Sequence, residues 1–222
     1  MSTPPSMAVT RHPPIRDQVA AILRTAIVNL DLPPGRLLVE RELCELTGAS
    51  RPSVREALRQ LEAEGLVDSL NGRGTVVRRL SPEEAKNIYE VRAELEGLGA
   101  RLFCERATES QNEQLQGALQ ELGRASSHAE VLTAQQKFYQ VMFEGAGNPF
   151  LDQMVQGIQS RVAQLRAVTL AVPGRASESL EEFRGIAAEI GKRNPGAAQR
   201  AASAHVKHAA KAMTLSIGDQ IS

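Results

Sequence analysis

From Ser81 onward the chain is punctuated by helix starts and carries almost no strand signal. Ser81-Pro82-Glu83-Glu84 places a Ser at the N-cap, a Pro where the missing N–H has no partner to lose, and a Glu able to reach back to the cap. Ser110 with Glu113, and Ser127 with Glu130, repeat the capping box. Asn148-Pro149 and Asn194-Pro195 open further helices, and Val172-Pro173-Gly174 breaks one. The spacing predicts helices over 82–107, 110–123, 127–146, 149–171, 178–193 and 195–216, so residues 80–222 read as an all-α bundle of six.

The block before Ser81 reads differently. Ile15, Val19, Ile22, Leu23, Ala26, Ile27 and Leu30 recur at three- and four-residue steps, which predicts an amphipathic helix over 14–30 ending before Pro33-Pro34-Gly35. A short helix over 40–46 should turn Leu43 and Leu46 inward and stop at Gly48. Ser50 then caps a third helix, in which Val54, Ala57, Leu58 and Leu61 share one face. Two β-prone runs, Leu66 to Leu70 and Thr75 to Arg78, bracket Asn71-Gly72-Arg73-Gly74, the signature of a tight hairpin. Three helices followed by a hairpin predict a winged helix-turn-helix over 13–79. The Pro-, Ser- and Thr-bearing segment 1–12 reads as a disordered lead-in.

The polar faces of this block are rich in arginine. Residues 1–80 hold eleven Arg, no Lys and nine acidic residues, hence +2, within a chain that balances 26 basic against 26 acidic residues. Neutrality argues against a polycation that coats nucleic acid indiscriminately. Arg, however, can fork onto phosphates and guanine edges where Lys is a point charge. Ser50, Arg51 and Ser53 lie at the N-terminal end of the third helix, the end that recognition helices push into the major groove; Arg55 and Arg59 lie off its apolar stripe. Arg73, between Gly72 and Gly74, is placed to reach a minor groove or a flanking phosphate. The plain alternative for each Arg is a solvated or ion-paired surface residue, with Glu56 or Glu62 as partners for Arg55.

These residues carry a resemblance. Pro33-Pro34-Gly35-Arg36-Leu37-Leu38-Val39-Glu40-Arg41-Glu42-Leu43, then Ser50-Arg51-Pro52-Ser53-Val54-Arg55-Glu56-Ala57-Leu58, then Leu61 to Val67 and the wing closely resemble the winged helix-turn-helix of GntR-family regulators. The resemblance implies that Arg41, Arg51, Arg55 and the wing glycines contact operator DNA, with Arg36 in the same motif. Beyond residue 82, Tyr89 to Glu96, Ala134 to Tyr139, Gly147 to Phe150 and Glu182 to Val206 resemble the FCD effector domain, in its six-helix, VanR-like form rather than the seven-helix FadR form.

Many FCD domains hold a divalent metal with one Asp and three His, and the resemblance puts those ligands at Gln135, Tyr139, Phe183 and His205. Only His205 is a ligand type, and one His cannot hold Zn²⁺ or Ni²⁺. The expectation is therefore no metal and no cofactor, with the cavity kept for an organic effector. Gln135, Tyr139 and His205 would hydrogen-bond it, Phe183 would add an apolar wall, and Arg92 would supply positive charge, which favours a carboxylate. The same residues equally fit a filled core in which Gln135, Tyr139 and His205 bond one another and Arg92 pairs with Glu96.

The whole is a mainly α chain expected to act as a homodimeric repressor on a pseudo-palindromic stretch of double-stranded DNA. A ligand-independent DNA binder whose helical part only dimerises is the nearest alternative. An enzyme would need a nucleophile, base and orienter or a metal set, and none is assembled. His205 and His208, at i and i+3 on one helix, leave a weak metal site there as a further alternative. Cys44 and Cys104 fall inside helical patterns as ordinary thiols of a reducing compartment, and no run is long enough for a membrane helix, so the expectation is a cytoplasmic protein.

Overall fold

The computed structural model describes residues 13–70 and 74–218. The first three helices are α1 (Ile15–Val28), α2 (Glu40–Thr47) and α3 (Arg51–Ala63). Gly48, at φ +66°, supplies the left-handed residue that ends α2, and the Ser50 hydroxyl accepts from the Ser53 N–H to start α3. Val54, Ala57, Leu58 and Leu61 turn inward as the spacing requires, against Val19, Leu23 and Ile27 of α1.

Three inward expectations fail. Leu46, Ile22 and Ile15 are 73%, 54% and 61% exposed. The buried stripe of α1 is Val19, Ala20, Leu23 and Ile27, narrower than its apolar sequence. Of the two apolar side chains of the short α2, it buries Leu43 and leaves Leu46 outside.

The wing is a three-stranded antiparallel sheet in the order β1-β3-β2, made of β1 (Leu37–Leu38), β2 (Val67–Leu70) and β3 (Gly74–Val77). The hairpin pairing of β2 with β3 follows the sequence pattern, whereas β1, two residues long, gave no signal. The tip positions Asn71, Gly72 and Arg73 lie outside the described residues. Gly74, at φ +104°, takes a backbone conformation that side chains resist.

Six helices follow: α4 (Pro82–Arg106), α5 (Glu109–Arg124), α6 (His128–Ala146), α7 (Pro149–Leu170), α8 (Arg175–Gly191) and α9 (Pro195–Gly218). The capping boxes Ser81/Glu84 and Ser127/Glu130 form as spelled. For α5 the box is Thr108/Gln111 rather than Ser110/Glu113, so the helix starts one residue earlier; Gln, like Glu, can reach back to the cap N–H. The helix expected over 178–193 begins at Arg175, behind the left-handed Gly174.

α4 is the central helix and packs on α6, α7, α8 and α9. Two glycines let it approach its neighbours. A Cβ on Gly97 would meet the Ser203 hydroxyl of α9, and one on Gly145 of α6 would meet the Phe103 ring. The main apolar core runs through Phe103, Leu115, Phe138, Met142, Phe183, Ile186 and Ile190. It is separate from the cluster that holds α1–α3 to the sheet.

The two halves touch along α7. Glu64, at the end of α3, accepts from Arg24 at 2.5 and 2.7 Å and from the Ser160 hydroxyl at 3.1 Å. Gln164 Nε2 donates to the Arg78 carbonyl at 2.7 Å, and Arg78 is ion-paired with Glu84. Gly65 lies beneath Arg161, so close that a Cβ there would sit 2.6 Å from the Arg161 Nε.

Candidate functional site

At the first candidate surface, α3 presents Arg51, Arg55 and Arg59 to solvent from one helix whose opposite face is core. The Ser50 and Ser53 hydroxyls, 3.0 Å apart, flank its N-terminus, where unpaired N–H groups favour phosphate. Arg41 lies on α2 and is 3.8 Å from Glu45. Arg36, in the loop before β1, is exposed, with its backbone carbonyl accepting from the Val77 N–H. Arg59 pairs with Glu56 at 2.6 Å.

Arg55 is organised by a residue the sequence did not single out. Its Nε donates to both oxygens of Glu40, at 2.8 and 3.0 Å, rather than to Glu56 or Glu62. That bond and the accompanying charge hold the Glu40 carboxyl below its ordinary range. With Nε engaged, the terminal nitrogens of the guanidinium form the free edge. The signal was present, since Glu40 opens α2 next to Arg41, but a contact 15 residues away in sequence has no periodicity to betray it.

The second candidate lies inside the helical bundle. Arg92, Glu96, Gln135, Arg166, Thr169, Arg175, Ser179 and His205 are all buried, an unusual density of polar groups for an interior. Arg92 Nε donates to Glu96 Oε1 at 2.6 Å, and Arg166 Nη2 donates to the same oxygen at 3.0 Å. Arg166 also lies over the Tyr139 ring, 3.9 Å from its centroid. Arg175 Nη2 donates to Glu182 Oε2 at 2.6 Å. The two oxygens of Glu182 further face Nδ1 of His205, at 2.5 Å, and Nδ1 of His208, at 2.8 Å.

These contacts set the protonation states. Burial works against the Glu182 carboxylate, but bonds from His205 and Arg175 win and bring its pKa to about 2. Burial pushes His205 below its ordinary value, only partly opposed by Glu182 and Glu96. Arg166 is lowered by the same burial, with Arg92 repelling it. Three guanidiniums, Arg92, Arg166 and Arg175, face Glu96 and Glu182 and a neutral imidazole, and a third carboxylate, the exposed Glu178, stands 3.7 Å from Arg175 Nη1. Arg92 Nη1, Arg166 Nε, and Nε and Nη1 of Arg175 have no hydrogen-bond partner.

Of the five residues expected at an effector site, Arg92, Gln135 and His205 line one common void, joined by Arg166, Arg175 and Ser179. That void measures about 10 Å³, the room of a single water. Tyr139 and Phe183 do not line it. They stack behind, Phe183 edge-on to Phe138 at 4.8 Å and to Tyr139 at 5.4 Å, and 4.8 Å from the His205 ring, because aromatic side chains gain most from mutual packing. Nor do Gln135, Tyr139 and His205 bond one another: Gln135 donates to Ser179 Oγ at 2.9 Å, His205 faces Glu182, and the Tyr139 hydroxyl has no partner.

An amide turned to Ser179, a phenol, a phenyl ring and one imidazole do not make a metal-binding set, and no cluster of three His, Cys, Asp or Glu suited to a metal occurs among the described residues. Arg166 and Arg175 went unremarked in the sequence. Arg166 interrupts the apolar run Leu165 to Leu170, and a charge inside such a run is the cue that marks it.

A winged helix-turn-helix followed by a helical bundle with a charged, almost closed interior defines a class of two-part DNA-binding regulators. The pattern of the bacterial regulatory proteins of the gntR family matches residues 15–77, and that of the FCD domain matches residues 87–208. The chain belongs to the GntR family of regulators, in the group that carries an FCD domain, and is a DNA-binding transcriptional regulator.

It is 28% identical over 190 residues to the HTH-type transcriptional regulator YdhC of Bacillus subtilis, covering 84% of this chain and 85% of that one. It is 26% identical over 197 residues to the HTH-type transcriptional repressor RspR of Escherichia coli, covering 87% and 86%. In fold it is similar to Escherichia coli McbR/YncC, with a TM-score of 0.80 over 92% of this chain and 99% of that one, at 20% identity. The family and these relatives are regulators, not enzymes. No described helix is long and apolar enough to cross a membrane.

Proposed function

We propose that the chain is a homodimeric repressor that leaves its operator when a small organic carboxylate enters the bundle, without a metal. Three buried guanidiniums, Arg92, Arg166 and Arg175, that line one void with nitrogens lacking hydrogen-bond partners are the observation that carries this reading. A buried donor without a partner is costly, and an anion accepting from Arg92 Nη1 and Arg175 Nε satisfies such donors. Gln135, Ser179 and His205 are positioned to fix its orientation. Because the void takes only a water, the effector must part the helices, and that displacement is what α7 can transmit to α1–α3. The working division is residues 13–79 for DNA and 80–222 for effector and dimer.

On DNA, Arg51, Arg55, Ser50 and Ser53 read or grip the major groove from α3, Arg41 and Arg59 hold flanking phosphates, and Arg36 and the wing residues Gly72, Arg73 and Gly74 serve the neighbouring backbone or minor groove. Dimerisation is supported by α7, where Phe150 and Met154, one turn apart, are 76% and 61% exposed. The test is to select bound genomic fragments, footprint them, and titrate the complex with a panel of organic acids. The reading expects a two-fold symmetric footprint abolished by a carboxylate at constant metal. An asymmetric half-site footprint, or release requiring added divalent metal, refutes it.

A further inference from the structure

The void inside the bundle is smaller than another space among the described residues. Between α1, α6 and α7 lies a cleft of about 280 Å³, close to the lower end of small-molecule sites. Its walls come from both halves of the chain: Arg24, Thr25 and Val28 from α1 with its C-cap Asn29, Leu132, Thr133 and Gln136 from α6, and Gln159, Ser160, Ala163 and Arg166 from α7.

The lining chemistry is one-sided. Its ionisable residues are Arg24 and Arg166, with no acid on the wall. Arg24 is held by Glu64, and Glu64 is spoken for by Ser160 as well. Arg166 is more than nine-tenths buried and has a buried Nε without a partner, since its bond to Glu96 uses Nη2. On the same walls Val28, Leu132 and Ala163 offer an apolar surface, and Asn29, Gln136 and Gln159 offer amide donors.

We propose that this cleft is a second ligand site, taking a small organic monoanion whose carboxylate faces Arg166 and whose apolar body lies on Val28, Leu132 and Ala163. Such a ligand touches the DNA-binding half and the bundle at once, so its binding is linked to how the two halves sit on each other. Arg166 also lines the interior void, which makes it the shared wall of the two sites. The proposal does not rest on the interior effector site.

Benzoate is the probe, with uncharged benzamide beside it, titrated into the full chain by isothermal calorimetry and ligand-observed NMR. Ala163→Phe and the exposed Thr133→Trp fill the cleft; Ser179→Leu fills the interior void. Circular dichroism melts identify which cleft variant keeps the fold, and Thr133→Trp alone suffices. Saturable benzoate binding is expected, weakened tenfold or more in the folded cleft variants, unchanged in Ser179→Leu, and at least tenfold weaker for benzamide. Absence of saturable binding, retention in the cleft variants, loss in Ser179→Leu, or equal affinity for benzamide overturns the cleft site. A Ser179→Leu effect without a cleft effect moves the anion to the interior and leaves the effector reading standing.

Discussion

The pairing of Arg55 with Glu40 holds this guanidinium in one orientation, the one in which the proposed contact to DNA would find it. Nε holds the carboxylate and the terminal nitrogens remain for a base edge, a geometry that a bidentate contact to guanine requires. Arg51→Ala and Arg55→Ala are each expected to weaken operator binding by about tenfold or more if they read bases. Glu40→Gln should act on specificity instead. It removes a negative charge beside the proposed DNA-contacting Arg55, so non-specific affinity is expected to rise while the preference for the operator falls. Titration of operator and scrambled DNA by fluorescence anisotropy separates the two effects, and equal losses on both sequences would count against the orienting role.

His205 gives a second expectation at this scale. Its imidazole is held neutral by burial, with Glu182, Glu96 and Arg92 around it. Its folded pKa therefore lies below the unfolded value of about 6.5. Below that pH the unfolded chain binds the extra proton, so stability falls as pH drops from about 6.5 towards the folded pKa and is full above 6.5. His205→Gln keeps a donor for Glu182 but does not titrate. Its melting temperature should change less between pH 7.5 and 5.5 than that of the wild type, and parallel curves would exclude this residue as the cause.

Among the elements, α4 shows how closely the bundle is built. Gly145 of α6 lies against the Phe103 ring and Ala107, with no room for a methyl group. Gly145→Ala is expected to destabilise the fold by about 1–3 kcal/mol through overpacking, read from urea denaturation. A neutral result would mean that the α4–α6 contact can spread at little cost.

The helices themselves were legible because caps and apolar periodicity are local: Ser50, Ser81, Ser127 and Asn148 each start the helix they announce. Element β1 was not, since its two residues exist as a strand only by pairing with β3. The interior site was half legible for the same reason. Arg92 and Glu96 are one helical turn apart and visible as a pair, whereas Arg166 and Arg175 reach them only through the packing of α4, α7 and α8. The aromatic stack that takes Tyr139 and Phe183 out of the void is likewise a product of packing, invisible in their i,i+4 and long-range spacing.

At the scale of the whole molecule, the proposed regulation requires that a change in the bundle reach α3, and α7 is where the two halves meet. Through α7 two polar contacts bridge the halves, Ser160 on Glu64 and Gln164 on the Arg78 carbonyl, beside the Arg78–Glu84 ion pair at the junction. Glu64 also ties α1 to α3 through Arg24, so the first bridge leads straight to the helix that carries Arg51 and Arg55. Neither bridge belongs to either apolar core: Glu64 and Ser160 are partly exposed, and the buried Gln164 side chain meets the Arg78 backbone where the halves join, which makes the bridges separable from folding of the halves. The double variant Glu64→Ala, Gln164→Ala should therefore leave each half folded and loosen their mutual placement. Hydrogen exchange is expected to speed up on the α7-facing side of α1 and around Arg78, and small-angle scattering to report a larger radius of gyration, while amides within the core of α4 and α9 keep their protection. Unchanged scattering with unchanged exchange at Arg78 would show that apolar contact between α1 and α7 alone sets the arrangement, and signalling would then have to run through Val28, Leu132 and Ala167 instead.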